Sequence, residues 1–240
     1  MAADPNDIEA LKREKPGWSE EDVARLAAGE PLAYVIGHIP FLGLSINLES
    51  HPLIPRPETE WWTEELIKRI TDAPLRVLDL CAGSGAIGAA VLARCPNVQA
   101  SFGELMEEHA ATIRKNVRDN GIDLERADIR IGDLFAPFPG ERFDLIATNP
   151  PYIPAARVLP MEVARYEPAE ALLAEADGLG VIRRILAEAK DHLAPRGELW
   201  MECDIANIEA AQELALAGGA MKALARTDQY DRPRLLVAYY

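Results

Sequence analysis

Long apolar runs are missing from this 240-residue sequence. Although 49% of its residues are hydrophobic, no stretch of about 18 uninterrupted apolar residues is present to span a bilayer, so no membrane segment is expected. Cysteine is scarce as well. Cys81, Cys95 and Cys203 are an odd number at long spacings with no Cys-x-x-Cys pair, which argues against a disulfide framework and against a zinc site; they read as free thiols and no metal is expected. The amino terminus lacks the basic-then-apolar pattern of a signal peptide, which places the expected location in the cytoplasm. Basic residues are also in deficit, 25 Lys and Arg against 39 Asp and Glu, for a formal net charge of -14. Proteins that grip DNA or RNA draw most of their affinity from basic residues against phosphate, so stable nucleic-acid binding is not expected, a local basic patch aside.

The length suits one large domain, or a main domain with a small appendage. Residues 1–38 read as a short helical region in which Ser19 caps a helix before Glu20, Glu21 and Asp22, and Gly29 closes it. Residues 39–72 read as a strand or hairpin, where Leu42, Leu44, Ile46 and Leu48 alternate, then an extended stretch stiffened by Pro52, Pro55 and Pro57, then a helix to about Ile70. From 73 to 240 strands and helices alternate, from Leu75–Leu80 through Phe143–Thr148, and later from a helix near Gly180 to two strands at the end, Lys222–Arg226 and Leu235–Tyr239. The expected fold is α/β: a mostly parallel sheet covered on both faces, with an antiparallel hairpin at its carboxyl-terminal edge.

Ligands of such sheets bind beyond the carboxyl ends of the strands. After Val77-Leu78 the chain runs Asp79-Leu80-Cys81-Ala82-Gly83-Ser84-Gly85-Ala86-Ile87-Gly88: an acidic strand end, a turn without bulky side chains, a helix start. Gly83, Gly85 and Gly88 match Gly-x-Gly-x-x-Gly, the fingerprint of a dinucleotide site. A carboxylate at Asp79 would repel a pyrophosphate and suits an ammonium such as that of methionine, which leans the reading toward S-adenosylmethionine; the blander alternative is a tight turn and nothing more. Glu104 follows the second strand, where a carboxylate accepts from ribose hydroxyls, or else is a solvated charge beside Glu107 and Glu108. Asp133, after the third strand, is placed to accept from an adenine amino group or to cap a short turn.

The most informative stretch follows the fourth strand: Asn149-Pro150-Pro151-Tyr152-Ile153-Pro154. Two prolines fix φ and remove N–H donors, leaving a turn of acceptors held still. The Asn149 side-chain oxygen and the Pro150 carbonyl can take the two in-plane N–H bonds of an amino group conjugated to a carbonyl or ring, aiming its lone pair out of plane. As a methyl arrives from sulfur, positive charge grows on that nitrogen and the two acceptors strengthen, with no strong base required. Tyr152 can pack its ring on the planar target.

Together these residues resemble the class I methyltransferases with an Asn-Pro-Pro-Tyr motif, and within them the release-factor glutamine methyltransferases of the PrmC/HemK type. The resemblance covers about residues 29 to 240 and is carried further by Gly29-Glu30-Pro31-Leu32-Ala33-Tyr34, by Leu53-Ile54-Pro55-Arg56-Pro57-Glu58-Thr59-Glu60, by Gly132-Asp133-Leu134-Phe135 and by Tyr166-Glu167-Pro168. It implies a Rossmann-like seven-stranded sheet, S-adenosylmethionine as cofactor, and the glutamine of the Gly-Gly-Gln loop of a peptide chain release factor as methyl acceptor. It further implies that Asp79, Cys81, Ala82, Gly83, Gly85, Glu104, Asp133 and Asn149 line the cofactor pocket, that Asn149, Pro150, Pro151 and Tyr152 hold the glutamine, and that Arg56 and Pro57 lie near it; by itself the Arg56-Pro57 segment reads equally as a stiff connector. The family's longer helical amino-terminal domain is not matched before Glu30, and Cys203 stands where a glycine usually follows Glu202. Trp61-Trp62 reads as packing on the helix after Pro57.

Three other readings compete: a ribosomal-protein glutamine as acceptor, an amino-nitrogen methyltransferase of RNA or DNA, and a dinucleotide-binding oxidoreductase. The acidic balance and the Ile54–Thr59 segment disfavour the second, and no His or Lys at the sheet mouth supports the third. A non-catalytic protein on the same fold would not need Asp79, Glu104 and Asn149 together.

Overall fold

A computed structural model describes residues 2–240. It opens with three helices, α1 (Pro5–Glu14), α2 (Glu20–Ala27) and α3 (Leu32–Ile36). Each start has a local cause. Asp4 accepts from the Asn6 N–H ahead of α1, and Ser19 and Asp22 form a reciprocal capping box at α2. The apolar sides of these helices bury Leu11, Leu26 and Val35 against one another in a small core of their own. The hairpin β1 (His38–Phe41) and β2 (Leu44–Asn47) follows, turning through Leu42 and Gly43, both at positive φ, and after the proline stretch α4 (Pro57–Arg69) begins with Pro57 in its first turn.

The alternating part comprises β3 (Leu75–Leu80), α5 (Ala86–Arg94), β4 (Val98–Glu104), α6 (Glu107–Asp119), β5 (Ala127–Ile131) and β6 (Phe143–Thr148). Then come β7 (Ile153–Pro154), α7 (Met161–Tyr166), α8 (Ala169–Leu172) and β8 (Leu173–Ala174), and finally α9 (Gly180–His192), β9 (Leu193–Glu202), α10 (Ile208–Ala217), β10 (Lys222–Thr227) and β11 (Pro233–Tyr239). Seven strands form one sheet in the order β10-β11-β9-β6-β3-β4-β5, in which β11 alone runs antiparallel to its neighbours. This is the α/β sheet with an antiparallel carboxyl-terminal hairpin that the alternation predicts.

Strand side chains alternate between the two faces. Leu78, Leu80, Ile146, Leu199 and Met201 pack under α9 and α10, while Val77, Ala147, Trp200 and Val237 pack under α4, α5 and α6. The chain builds outward from β3 through β4 to β5, then returns to lay β6 on the other side of β3. The strand order therefore reverses between β3 and β6, and the crevice beyond their carboxyl ends is where such sheets hold ligands.

Two of the glycines in the β3–α5 turn answer to packing. A Cβ on Gly88 would lie 2.4 Å from the Phe102 ring, and one on Gly85 would lie 2.9 Å from the Ile113 side chain. The Gly-x-Gly-x-x-Gly spacing thus lets α5 sit close on β4 and α6. Gly88→Ala gains helix propensity of roughly 0.5–1 kcal/mol, but forcing a methyl into the ring costs about 1–3 kcal/mol. A lower denaturation midpoint with unchanged m-value is expected; a raised midpoint would contradict this account.

The structure differs from the sequence expectation at Glu104 and fills in two stretches to which the sequence reading assigns no element. β4 continues past Phe102 to Glu104, making that carboxylate the end of the strand rather than part of the loop after it. β9 begins at Leu193 with no loop after α9. The proline-bearing stretch after Tyr152 folds into β7, α7, α8 and β8, with β7 and β8 pairing in parallel as a separate two-stranded sheet. Elements this short carry no periodicity for a sequence to display.

Candidate functional site

At the crevice, Leu80 ends β3 and the chain turns through Cys81 and Gly83 in left-handed conformations, φ 59° and 54°. A cleft of about 850 Å³ opens here, and Cys81, Gly83, Glu104, Asp133, Asn149 and Pro151 contribute to its wall. Among the acids of its wall Glu104 is the one shielded from solvent, while Asp133 and Glu170 are exposed. Glu104 is buried, accepting from the Gly83 N–H at 2.7 Å through one oxygen and from the Met106 N–H at 2.9 Å through the other. Each carboxylate oxygen keeps a second lone pair, so two acceptor directions stay open to a pair of hydroxyls. Gly83 meets only Pro52, at 3.9 Å, where a Cβ would stand, leaving its backbone open to close approach. Asp133 sits at the rim, exposed, with Arg184 donating to it at 2.6 Å. Burial and the nearby Glu104 push the Cys81 thiol up to about 12, so it stays protonated and does not offer a thiolate to an alkylating ligand.

Asp79 lies elsewhere. It is fully buried, accepts from the Gly88 N–H at 2.8 Å through Oδ2, leaves Oδ1 without a partner, and is not part of the cleft wall. Desolvation, opposed by the Gly88 bond, pushes its carboxyl up to about 8. The fixed negative charge expected of Asp79 from the sequence is therefore weakened near neutral pH. The folded pKa lies above the unfolded one, so the folded state holds the extra proton and stability falls as pH rises from about 4 to about 8. Asp79→Asn keeps an acceptor for Gly88 and removes the titration. Its melting temperature should vary less than the wild type's between pH 5 and pH 8, and parallel pH curves would contradict the assignment. Ala82 and Gly85 also stay outside the wall and shape the turn, the Gly85 N–H donating to the Ala82 carbonyl at 2.7 Å.

A second cavity of about 600 Å³ adjoins the first; Arg56, Asn149, Pro150 and Tyr152 line it together with Leu159 and Val163. Asn149 belongs to both cavities. Its Nδ2 donates to Thr59 Oγ1 at 3.2 Å, which leaves Oδ1 as a free acceptor. Thr59 in turn donates to Glu202 Oε2 at 2.6 Å, the Trp62 indole donates to the same oxygen at 2.9 Å, and Tyr152 donates its hydroxyl to Glu202 Oε1 at 2.9 Å. Burial raises the Glu202 carboxyl against the pull of these three donors, and burial beside Glu202 raises the Tyr152 phenol well above its usual value, so Tyr152 remains neutral. Arg56 reaches both oxygens of the buried Glu167, at 2.6 and 2.7 Å, bracing the proline stretch against the end of α7. Pro57 lines neither cavity; it starts α4.

Thr59, Trp62 and Glu202 were not singled out as site residues from the sequence. Glu202 carried a usable signal: like Glu104, it is an acid at the carboxyl end of a sheet strand, here after the apolar Leu199-Trp200-Met201. His109, buried in the cleft wall with Nδ1 2.9 Å from Ser50 Oγ, had no such signal. Trp62 packs in the core over the sheet, as expected for that pair, and adds the indole bond to Glu202.

Comparison with known proteins agrees with this geometry. Residues 60–166 match the methyltransferase small domain family. A release factor glutamine methyltransferase of Enterococcus faecalis is 32% identical over 235 residues, covering 95% of this chain and 84% of the relative. One from Bordetella pertussis is 37% identical over 219 residues, 90% of this chain and 80% of the relative. Among solved structures, a methyltransferase from Pyrococcus furiosus superposes with a TM-score of 0.60 at 19% identity, covering 92% of this chain and 98% of the other, a likeness of fold. The sheet order and the ligand end of β3, β4 and β6 define a Rossmann-like class I methyltransferase, whose cofactor is S-adenosylmethionine; the open acceptors of Glu104 and the uncrowded backbone at Gly83 fit that group. Within that class, the chain belongs to the release factor glutamine methyltransferase family. No group of metal-ligating side chains and no helix long and apolar enough to cross a membrane is found among the described residues.

Proposed function

We propose that this chain methylates the side-chain amide nitrogen of a glutamine in a peptide chain release factor, the one in its Gly-Gly-Gln loop, working in the cytoplasm. The observation that carries the reading is that Asn149 borders two adjoining cavities with its Oδ1 uncommitted. Family membership supports the choice of substrate, since the relatives are named for that reaction.

Bound S-adenosylmethionine supplies a methyl group on a positively charged sulfur. The protein's part is to hold the receiving nitrogen. Asn149 Oδ1 and the Pro150 carbonyl accept its two N–H bonds, which orients the amide plane and aims the face of the nitrogen. The amide nitrogen is a poor nucleophile because its lone pair is delocalised. Acceptors that strengthen as positive charge grows on it lower the barrier more than they stabilise the bound ground state, and once the nitrogen–methyl bond has formed and the sulfur–methyl bond has broken, one N–H proton passes to water, leaving a neutral N-methyl amide. Tyr152, neutral and tethered to Glu202, walls the acceptor cavity and limits how far the amide can rotate. Glu104 would hold the cofactor's hydroxyls, and Asp133 with Arg184 would border its base.

The test is incubation with methyl-labelled S-adenosylmethionine and, in parallel, a release factor, ribosomal protein and RNA, followed by mass spectrometry. Label on the release-factor glutamine is expected. Label confined to RNA, or to a ribosomal protein, would replace the proposed substrate.

A further inference from the structure

Thr59 and Glu202 both lie outside the walls of the two cavities, yet they govern the residue that joins them. The Trp62 indole is a donor only, so Glu202 Oε2, 2.9 Å away, accepts from it, and in the ionised carboxylate that oxygen has no proton to give back. Thr59 Oγ1 approaches the same oxygen at 2.6 Å, so its single hydroxyl proton is committed there. That leaves Oγ1 able only to accept. The Asn149 side chain 3.2 Å away must therefore present its NH2 group to Thr59, and its carbonyl oxygen is turned the other way.

An asparagine amide is close to symmetric in shape, and packing alone scarcely distinguishes its two orientations. In the flipped orientation NH2 would replace the oxygen at the acceptor cavity, and a donor would face the two N–H bonds of the incoming amide. All three members of the relay are buried: Thr59 is 4%, Trp62 1% and Glu202 2% exposed. Water therefore does not compete for their protons, and a donor placed against a donor there has no relief.

We propose that Thr59 and Glu202 are positioning residues, and that the buried Glu202 carboxylate, accepting from both Trp62 and Thr59, commits the Thr59 proton and so locks the Asn149 amide in the one orientation that can accept from a substrate N–H. The proposal rests on the reading of Asn149 as the amide acceptor. Tyr152 hangs from the other oxygen of the same carboxylate, at 2.9 Å, so one buried acid arranges both the acceptor and the aromatic wall.

The test compares Thr59→Val, which keeps the shape and removes the hydroxyl, with Thr59→Ser, which keeps the hydroxyl. Two readouts are taken: steady-state kinetics, and the side-chain amide signal of Asn149 in the ¹H–¹⁵N spectrum of the protein with no substrate added. Thr59→Val is expected to lower kcat by about 10- to 100-fold, to leave the KM for S-adenosylmethionine near its wild-type value, and to shift the Asn149 amide signal. Thr59→Ser is expected to recover most of the lost kcat and to return the signal. If Thr59→Val does not fold, Thr59→Ala carries the same readouts. An unshifted Asn149 signal overturns the proposal, as does an unchanged kcat or a loss that Thr59→Ser fails to recover. A wild-type enzyme inactive on release factor whose Asn149 signal still responds to Thr59→Val would sink the proposed substrate and leave the positioning intact.

Discussion

Asn149→Ala is expected to lower the single-turnover rate of methyl transfer by about 10²- to 10³-fold, the scale seen when a preorganised group facing developing charge is removed. The loss has two parts. Oδ1 no longer accepts from the amide, so growing charge on nitrogen has one preorganised acceptor instead of two. Thr59, its proton committed to Glu202, is left with an unmatched lone pair. Asn149→Asp should not restore the rate, although it supplies oxygens, because a carboxylate cannot donate to Thr59 and would set two acceptors against each other. A rapid-quench measurement at saturating substrates separates this from weakened binding. An alanine variant retaining a tenth of the wild-type rate would remove Asn149 from the chemistry.

The second large effect is expected at Glu104. Both of its oxygens accept from backbone N–H groups, those of Gly83 and Met106. Glutamine is nearly the same size but has one oxygen, so in either orientation its NH2 faces a backbone N–H and one buried donor goes unmatched. Leaving such a group unsatisfied costs about 1–3 kcal/mol, and the loss falls on the turn that carries Gly83 and on the acceptors left open to the cofactor. Glu104→Gln should therefore weaken binding of S-adenosylhomocysteine by about 10- to 100-fold by titration calorimetry, a factor of ten being about 1.4 kcal/mol. The overall fold should survive, because the backbone pairing of Glu104 with Ile131 at the end of β4 is not altered by the substitution. Wild-type affinity in the Gln variant would show that this carboxylate serves the turn alone.

The parts of the fold that were legible in the sequence are those with a long repeat. Alternating strands and amphipathic helices between Leu75 and Thr148 announced a parallel sheet, and Pro57 and the Ser19 box marked helix starts within a residue. Glu104 and Asn149 were legible because each is a polar residue at the end of a strand, the position where open sheets bind ligands. Asp79 was legible as an acid near the end of β3 but does not reach the cleft wall, because its burial and the Gly88 bond follow from how α5 settles on β4 and not from any neighbour in sequence. The glycines were read as a ligand cradle, yet Gly85 and Gly88 are needed to seat α5. Thr59 was quoted as part of a motif without a task. Its task comes from a residue 143 positions away, and no local pattern encodes a contact of that separation.

That separation bears on when the protein becomes an enzyme. β9 brings Glu202 beside β6, in register Thr148 with Met201, and β9 is itself held on its far side by β11, near the end of the chain. A growing polypeptide that has already emerged past residue 149 has the turn but not the carboxylate that gives Asn149 its direction, and pairings this distant in sequence form late. On the role proposed for Glu202, a chain in which β9 and β11 have not yet joined the sheet is expected to lack methyl transfer, because Asn149 has no fixed direction until they do.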